Sequence, residues 1–172
     1  MRTDKTGRTT IRKQRLYIAY GSNLSLSQMA GRCPTAEIAG KAVLHGWKLV
    51  FRGVATIERC AGYNVPVLLW KLQPQDERNL DTYEGWPHLY RKENLKVTLD
   101  GKRRTAMVYI MNEGSHPYSP PSKGYMRTIL HGYETAGFDS GILYRAAGEA
   151  ITAGLTFPDK DTAGSRKGGA GR

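Results

Sequence analysis

Apolar and polar positions recur with two different periods along this chain, and the switches between them mark its elements. Leu16 to Tyr20 is a short apolar run that stops at Gly21-Ser22-Asn23, the pattern of a buried strand ending in a tight loop. Ser25 followed by Gln28 is a capping-box pattern, so a helix is expected to begin at Ser25. AEIAGKAVLHGWKLVFRG then reads as one long strand or two, marked by Val43, Trp47, Leu49 and Phe51. VATIER is read as a short strand and YNVPVLLWKL as another, with Val65, Val67 and Leu69 alternating and Pro66 confining its early part to an edge or bulge. ENLKVTLD and RRTAMVYIMN flank Asp100-Gly101, a hairpin signal, and alternate so that each buries one face.

The period changes to that of a helix in three later stretches. Pro74 opens PQDERNLDTYEG and Gly85 closes it. SKGYMRTILHGYETAGF runs from a cap at Ser122 to Gly137, and Asp139 is placed to cap a last helix through Ala153. Strands fill the middle and helices the ends, so the fold class expected is α+β: a small mixed, mostly antiparallel curved sheet or barrel with peripheral helices. A doubly wound fold needs helices between its strands, and residues 41–70 offer none.

At 172 residues the chain is long enough for one domain with a core needing no disulfide or metal support. The net charge of +11 suggests nucleic acid, but its placement weakens that reading. Residues 1–15 hold six basic residues against one acidic, and residues 159–172 hold four against two, leaving only +4 on the remainder. The expected organisation is a basic flexible tail at 1–15, a single domain at 16–157 and a Gly/Lys/Arg-rich tail at 158–172. Nucleic acid is expected to be met only weakly, through those tails. The N-terminus lacks the apolar stretch of a secretory signal and no run reaches membrane-spanning length, so a cytoplasmic protein with no membrane partner is expected. Cys33 and Cys60 are too isolated for a metal knuckle, and His45, His88, His116 and His131 show no ligand spacing, so no metal or other cofactor is expected. Nothing in the sequence fixes an oligomeric state.

Two places carry candidate chemistry. The loop after the first strand lets ligand approach the main chain at Gly21 and directs the amides of Gly21–Leu24 one way, a site for an oxyanion or carboxylate; Ser22 and Asn23 add side-chain donors. There is no Walker lysine, no G-x-G-x-x-G and no G-x-S-x-G elbow, which argues against phosphate binding and against Ser22 as a nucleophile. Glu84 is the second place. It sits at a helix C-terminus, where the dipole disfavours a carboxylate, four residues after Leu80 and therefore on the buried stripe. If it stays inside, its pKa rises and it becomes a proton acceptor near neutrality. If it swings out, it salt-bridges Arg91 or Lys92. Asp76, Glu77 and Asp81 on the same helix read as a solvated face, Trp86 and Tyr90 as shapers of a substrate mouth, Tyr118 as a loop residue between prolines.

Taken together, YIAYGSNL, YNVPVLLWKL, LDTYEG, LYRKENLKV and PPSKGYMRTILHGYETAGF resemble the γ-glutamylcyclotransferase family over roughly residues 16–138. Pro66 departs from the small residue more usual at its position. The resemblance implies a small mixed barrel with outer helices and substrates that are small γ-glutamyl compounds, released as 5-oxoproline plus a free amine. It implies Glu84 as the catalytic acid/base and a pocket of Tyr20, Gly21, Ser22, Asn23, Leu24 and Tyr125. The loop amides would hold either the γ-carbonyl oxygen or the α-carboxylate. A related γ-glutamyl-removing step and a non-catalytic protein on the same fold, binding a small ligand or nucleic acid, are the alternatives.

Overall fold

Among the described residues five strands and four α-helices follow in the order β1 (Arg15–Ala19), a 3-10 turn (Ser22–Leu24), α1 (Leu26–Arg32), β2 (Glu37–Arg52), β3 (Val54–Leu72), α2 (Pro74–Glu84), β4 (Tyr90–Leu99), β5 (Lys102–Met111), α3 (Lys123–Ala136) and α4 (Ser140–Thr156). This computed structural model describes residues 14–156, so the expected tails fall almost wholly outside the described residues. β1 begins at Arg15, one residue inside the stretch read as tail: Arg15 pairs with Leu72 and its guanidinium reaches Glu77 at 2.7 Å. Among the described residues no helix is long and apolar enough to cross a membrane.

The fold is α+β. Its sheet runs β2-β3-β1-β5-β4, antiparallel throughout except where β1 meets β5 in parallel. The hydrogen-bonded ladder stays open, but it curls until its two outer strands approach. A Cβ built on Gly40 of β2 would lie 2.6 Å from Leu99 Cδ1 of β4, and the φ of 153° at Gly40 further favours glycine there.

VATIER and YNVPVLLWKL form one strand rather than two. Pairing jumps from His45↔Asn64 to Trp47↔Arg59, so residues 60–63 bulge opposite Gly46 while β3 runs on. Pro66 pairs with Val43 on β2, and β1 joins β3 only from Leu68 onward, so its missing N–H faces an open edge. The Asp100-Gly101 turn has positive φ at both residues (50° and 72°), the two-residue geometry that matches strand twist. β4 buries alternate residues as expected; β5 does not. Ala106 to Met111 are all buried, because β5 lies between β1 and β4 with both faces covered.

α2 keeps the ends read from sequence, with Gln73 and Asp76 in a capping box and Gly85 in the left-handed conformation at φ 63°. α3 is capped by Ser122 and ended by Gly137, and α4 continues three residues past the expected Ala153. A Cβ on Gly132 of α3 would meet Leu24 Cβ at 2.6 Å, so this helix rests directly on the 3-10 turn and holds it against the sheet. Leu24 is fully buried beneath it.

Candidate active site

The end of β1, the turn after it and the end of α2 meet around a cavity of about 190 Å³. β1 supplies Tyr17, the two residues after it Tyr20 and Gly21, the 3-10 turn Ser22 and Asn23, and α2 Tyr83 and Glu84. Val54 and Ala55 of β3, Leu89 and Tyr90, Tyr109 of β5 and Tyr125 of α3 complete the wall. Six of the seven residues expected at the site line it; Leu24 does not.

Gly21 is there for closeness, not for a left-handed backbone, since its φ is −115°. A Cβ added to it would stand 3.2 Å from Ala55 Cβ and 3.5 Å from Tyr125 Oη. The turn occupies some of the amides expected to form the cradle. Leu24 N–H donates to Gly21 O at 3.0 Å and Ser25 N–H to Ser22 O at 3.1 Å. The N–H groups of Gly21, Ser22 and Asn23 have no acceptor among the described residues. Three donors therefore remain for a ligand, and Leu24 contributes packing instead.

Glu84 stays in. It is half-buried, its carboxyl faces the cavity, and Asn23 Nδ2 donates to its Oε1 at 3.1 Å. Arg91 pairs with Glu93 (2.8 Å) and Lys92 with Glu77 and Asp81 (2.7 and 2.6 Å), so neither cation draws it out. Burial raises its pKa to about 7, against the opposing pull of the Arg32 guanidinium and the Asn23 bond. It thus exchanges a proton near neutral pH.

The tyrosines divide by what their hydroxyl protons do. Tyr20 Oη donates to Tyr109 O (2.7 Å), Tyr90 Oη to Ala55 O (2.8 Å) and Tyr109 Oη to Asp81 Oδ1 (2.6 Å). Tyr17 Oη instead accepts from Asn23 Nδ2 (2.8 Å) and Tyr125 Oη from Ala55 N–H (3.2 Å). Each of these two keeps a proton to donate, and burial holds both hydroxyls neutral, with Tyr125 pushed up to about 12. Among the described residues no lysine or arginine lines the cavity.

Several residues escaped the sequence reading. Tyr17, Tyr83 and Tyr109 were not singled out, and β1, buried at three successive residues, offers no alternation that would have marked Tyr17. Arg32 is the larger omission; it grips Ser22 and Asn23 from the end of α1. The acidic face of α2 is also not solvated. Asp76 is buried, accepting from Gln73 N–H (2.9 Å), Thr35 Oγ1 (2.7 Å) and Thr35 N–H (3.4 Å), while Glu77 and Asp81 share Lys92. Tyr90 lines the cavity, whereas Trp86 lies outside it, 43 % exposed, with Lys92 over its ring. Tyr118 donates to Glu58 and stacks under Arg52.

Comparison with known proteins adds an independent line. Residues 17–129 match the family described as γ-glutamyl cyclotransferase, AIG2-like. Human γ-glutamylcyclotransferase is 32 % identical over 136 residues, 71 % of each chain, and the mouse protein matches equally well. A solved γ-glutamyl cyclotransferase superposes with a TM-score of 0.67 at 25 % identity, over 90 % of this chain and 95 % of its own. A human crystal structure of unassigned function gives 0.68 at 26 % identity, over 91 % and 95 %.

Proposed function

The chain belongs to the γ-glutamyl cyclotransferase, AIG2-like family and is an enzyme of that kind; we propose that it closes a small γ-glutamyl amine or peptide to 5-oxoproline, with Glu84 carrying the protons. The observation that supports this most is a proton-exchanging carboxyl facing three unbonded amides across a small neutral cavity.

The chemistry is intramolecular. The substrate's α-amine attacks its own γ-carbonyl carbon, a five-membered ring closes, and the γ-amide C–N bond breaks. Holding the chain curled supplies much of the acceleration, because oriented intramolecular reactions reach effective molarities of roughly 10⁵–10⁸ M. An α-ammonium cannot attack, so it first gives a proton to Glu84. After attack the same nitrogen loses a second proton and the leaving nitrogen gains two, so that the product amine departs as its ammonium. Glu84 passes both. A carboxyl with pKa about 7 suits a group that must accept and then release a proton at neutral pH.

The substrate's anionic oxygens fall to neutral donors: the amides of Gly21, Ser22 and Asn23 and the free hydroxyl protons of Tyr17 and Tyr125. Each such donor at a developing oxyanion is worth about 10²–10³ in rate. A cavity of about 190 Å³ accommodates the γ-glutamyl part, leaving the amine to extend past Val54, Tyr83 and Leu89. No metal or other cofactor has a part in this scheme, and the cytoplasm, where γ-glutamyl metabolites and thiols coexist, is the compartment it suits.

The test is to incubate purified protein with γ-glutamyl dipeptides, γ-glutamyl amines and glutathione and to follow 5-oxoproline. At least one class is expected to release it in equal amounts with free amine. Release from none of them contradicts the proposal.

A further inference from the structure

Arg32, the last residue of α1, does not itself line the cavity, yet both polar side chains of the turn that do, Ser22 and Asn23, are tied to it. Its Nη1 donates to Ser22 Oγ (3.0 Å) and to Asn23 Oδ1 (2.6 Å), and its Nη2 to Gln28 Oε1 (2.6 Å). The guanidinium carbon lies over the Tyr83 ring, 3.6 Å from its centroid. The Asn23 contact has a directional consequence. With Oδ1 claimed by Arg32, the amide nitrogen is forced to the opposite side, where it donates both to Tyr17 Oη (2.8 Å) and to Glu84 Oε1 (3.1 Å). Flipped, Asn23 would aim its oxygen at a carboxylate and its NH₂ at a cation, two repulsions in place of two attractions.

We propose that Arg32 is a positioning residue of the cyclisation site, fixing the orientation of Asn23 and through it the place of the Glu84 carboxyl. The inference rests on the cyclotransferase reading above for its catalytic consequence, though not for its structural one. Arg32 acts from behind the turn, so it supplies positive charge without occupying the cavity or competing with Glu84 for the substrate's ammonium.

Among the described residues the other groups facing Glu84 carry no charge at neutral pH. Tyr17 and Tyr20 come from β1 and the residue after it, Tyr83 from its own helix, Tyr90 from β4, Tyr109 from β5, Tyr125 from α3 and the Cys33 thiol from the end of α1. Arg32 is therefore the charged residue through which the surroundings lower the proton affinity of Glu84, working against its burial. Lysine would keep the charge but lacks the planar fork that reaches Ser22, Asn23 and Gln28 together.

The experiment compares Arg32→Met and Arg32→Lys with the wild type, reading the Glu84 carboxyl carbon by ¹³C NMR across pH in the substrate-free protein and both kcat and kcat/KM across the same range. In Arg32→Met the Glu84 midpoint is expected to rise by about one unit, moving the acid limb of kcat/KM with it. In Arg32→Lys the midpoint is expected to stay near the wild-type value while kcat falls about tenfold, because Asn23 is no longer held. A folded Arg32→Met protein with an unmoved midpoint overturns the proposal; if that variant does not fold, wild-type kcat in Arg32→Lys does so. A wild-type protein that releases no 5-oxoproline sinks the cyclotransferase reading alone, since the NMR comparison needs no turnover.

Discussion

Replacing Glu84 by Gln should stabilise the protein, and by an amount that depends on pH in a calculable way. The carboxyl has a pKa of about 7 in the folded chain against an ordinary 4.5. Between those values the folded state binds more protons than the unfolded one, so stability falls as pH rises through the window and the loss is complete above the folded pKa. At pH 5 most of the folded population carries the proton, and the penalty is only about 1 kcal/mol; by pH 8 it reaches about 3 kcal/mol, taking 1.36 kcal/mol per pKa unit. Glutamine has no such term. It is close to isosteric, and its Oε1 can still accept from Asn23 Nδ2, which sits 3.1 Å from the present carboxylate oxygen. Urea unfolding of both proteins at the two pH values reads the difference. With a slope of about 2 kcal/mol/M, the midpoint of Glu84→Gln should lead by about 0.5 M at pH 5 and about 1.5 M at pH 8. A gap that is the same at both pH values would refute the reasoning, because it would mean that the carboxylate keeps its hydration in the folded state.

Gly21→Ala should raise KM, lower kcat and weaken 5-oxoproline binding together, because the new Cβ presses on Ala55 Cβ at 3.2 Å and crowds Tyr125 Oη at 3.5 Å; isothermal titration showing wild-type affinity would remove the amide cradle from the account. Asp76→Ala should cost about 2–3 kcal/mol in chemical unfolding, since it strands donors from Gln73 and Thr35 that now share one buried carboxylate; a loss below about 0.5 kcal/mol would return Asp76 to the solvated face. Deleting residues 1–14 and 159–172 lowers the net charge from +11 to +5 and should leave turnover of a small substrate unchanged while abolishing any salt-sensitive association with RNA; a folded, inactive truncation would place a tail over the cavity.

The parts of this protein that were legible in the sequence are those whose causes are local. α2 announces both ends, with Pro74 at its first position and Gly85 free to turn left-handed, and that is what made Glu84 conspicuous as a carboxylate on the wrong end and the buried side. The Asp100-Gly101 hairpin and the Ser122 and Ser25 caps are equally local. What stayed hidden depends on partners distant in the chain. Asp76 looks solvated until Thr35, 41 residues earlier, arrives against it. β5 reads as a one-sided strand until β1 joins it in parallel, and β3 reads as two strands until β2 carries it past the bulge. Arg32 lies close in sequence to Ser22 and Asn23, but only the 3-10 turn folds the chain back so that one guanidinium reaches both.

The central claim is that Glu84 takes the substrate's ammonium proton. Its most direct test is the rate of 5-oxoproline release by folded Glu84→Gln on the best γ-glutamyl substrate found, at saturating concentration and pH 7.5. The account expects a fall of about 10²–10⁴-fold with binding of 5-oxoproline retained. Release at more than about a tenth of the wild-type rate would contradict it, since a loss of less than about tenfold falls well below the roughly 10²–10⁴-fold that a positioned general base typically contributes.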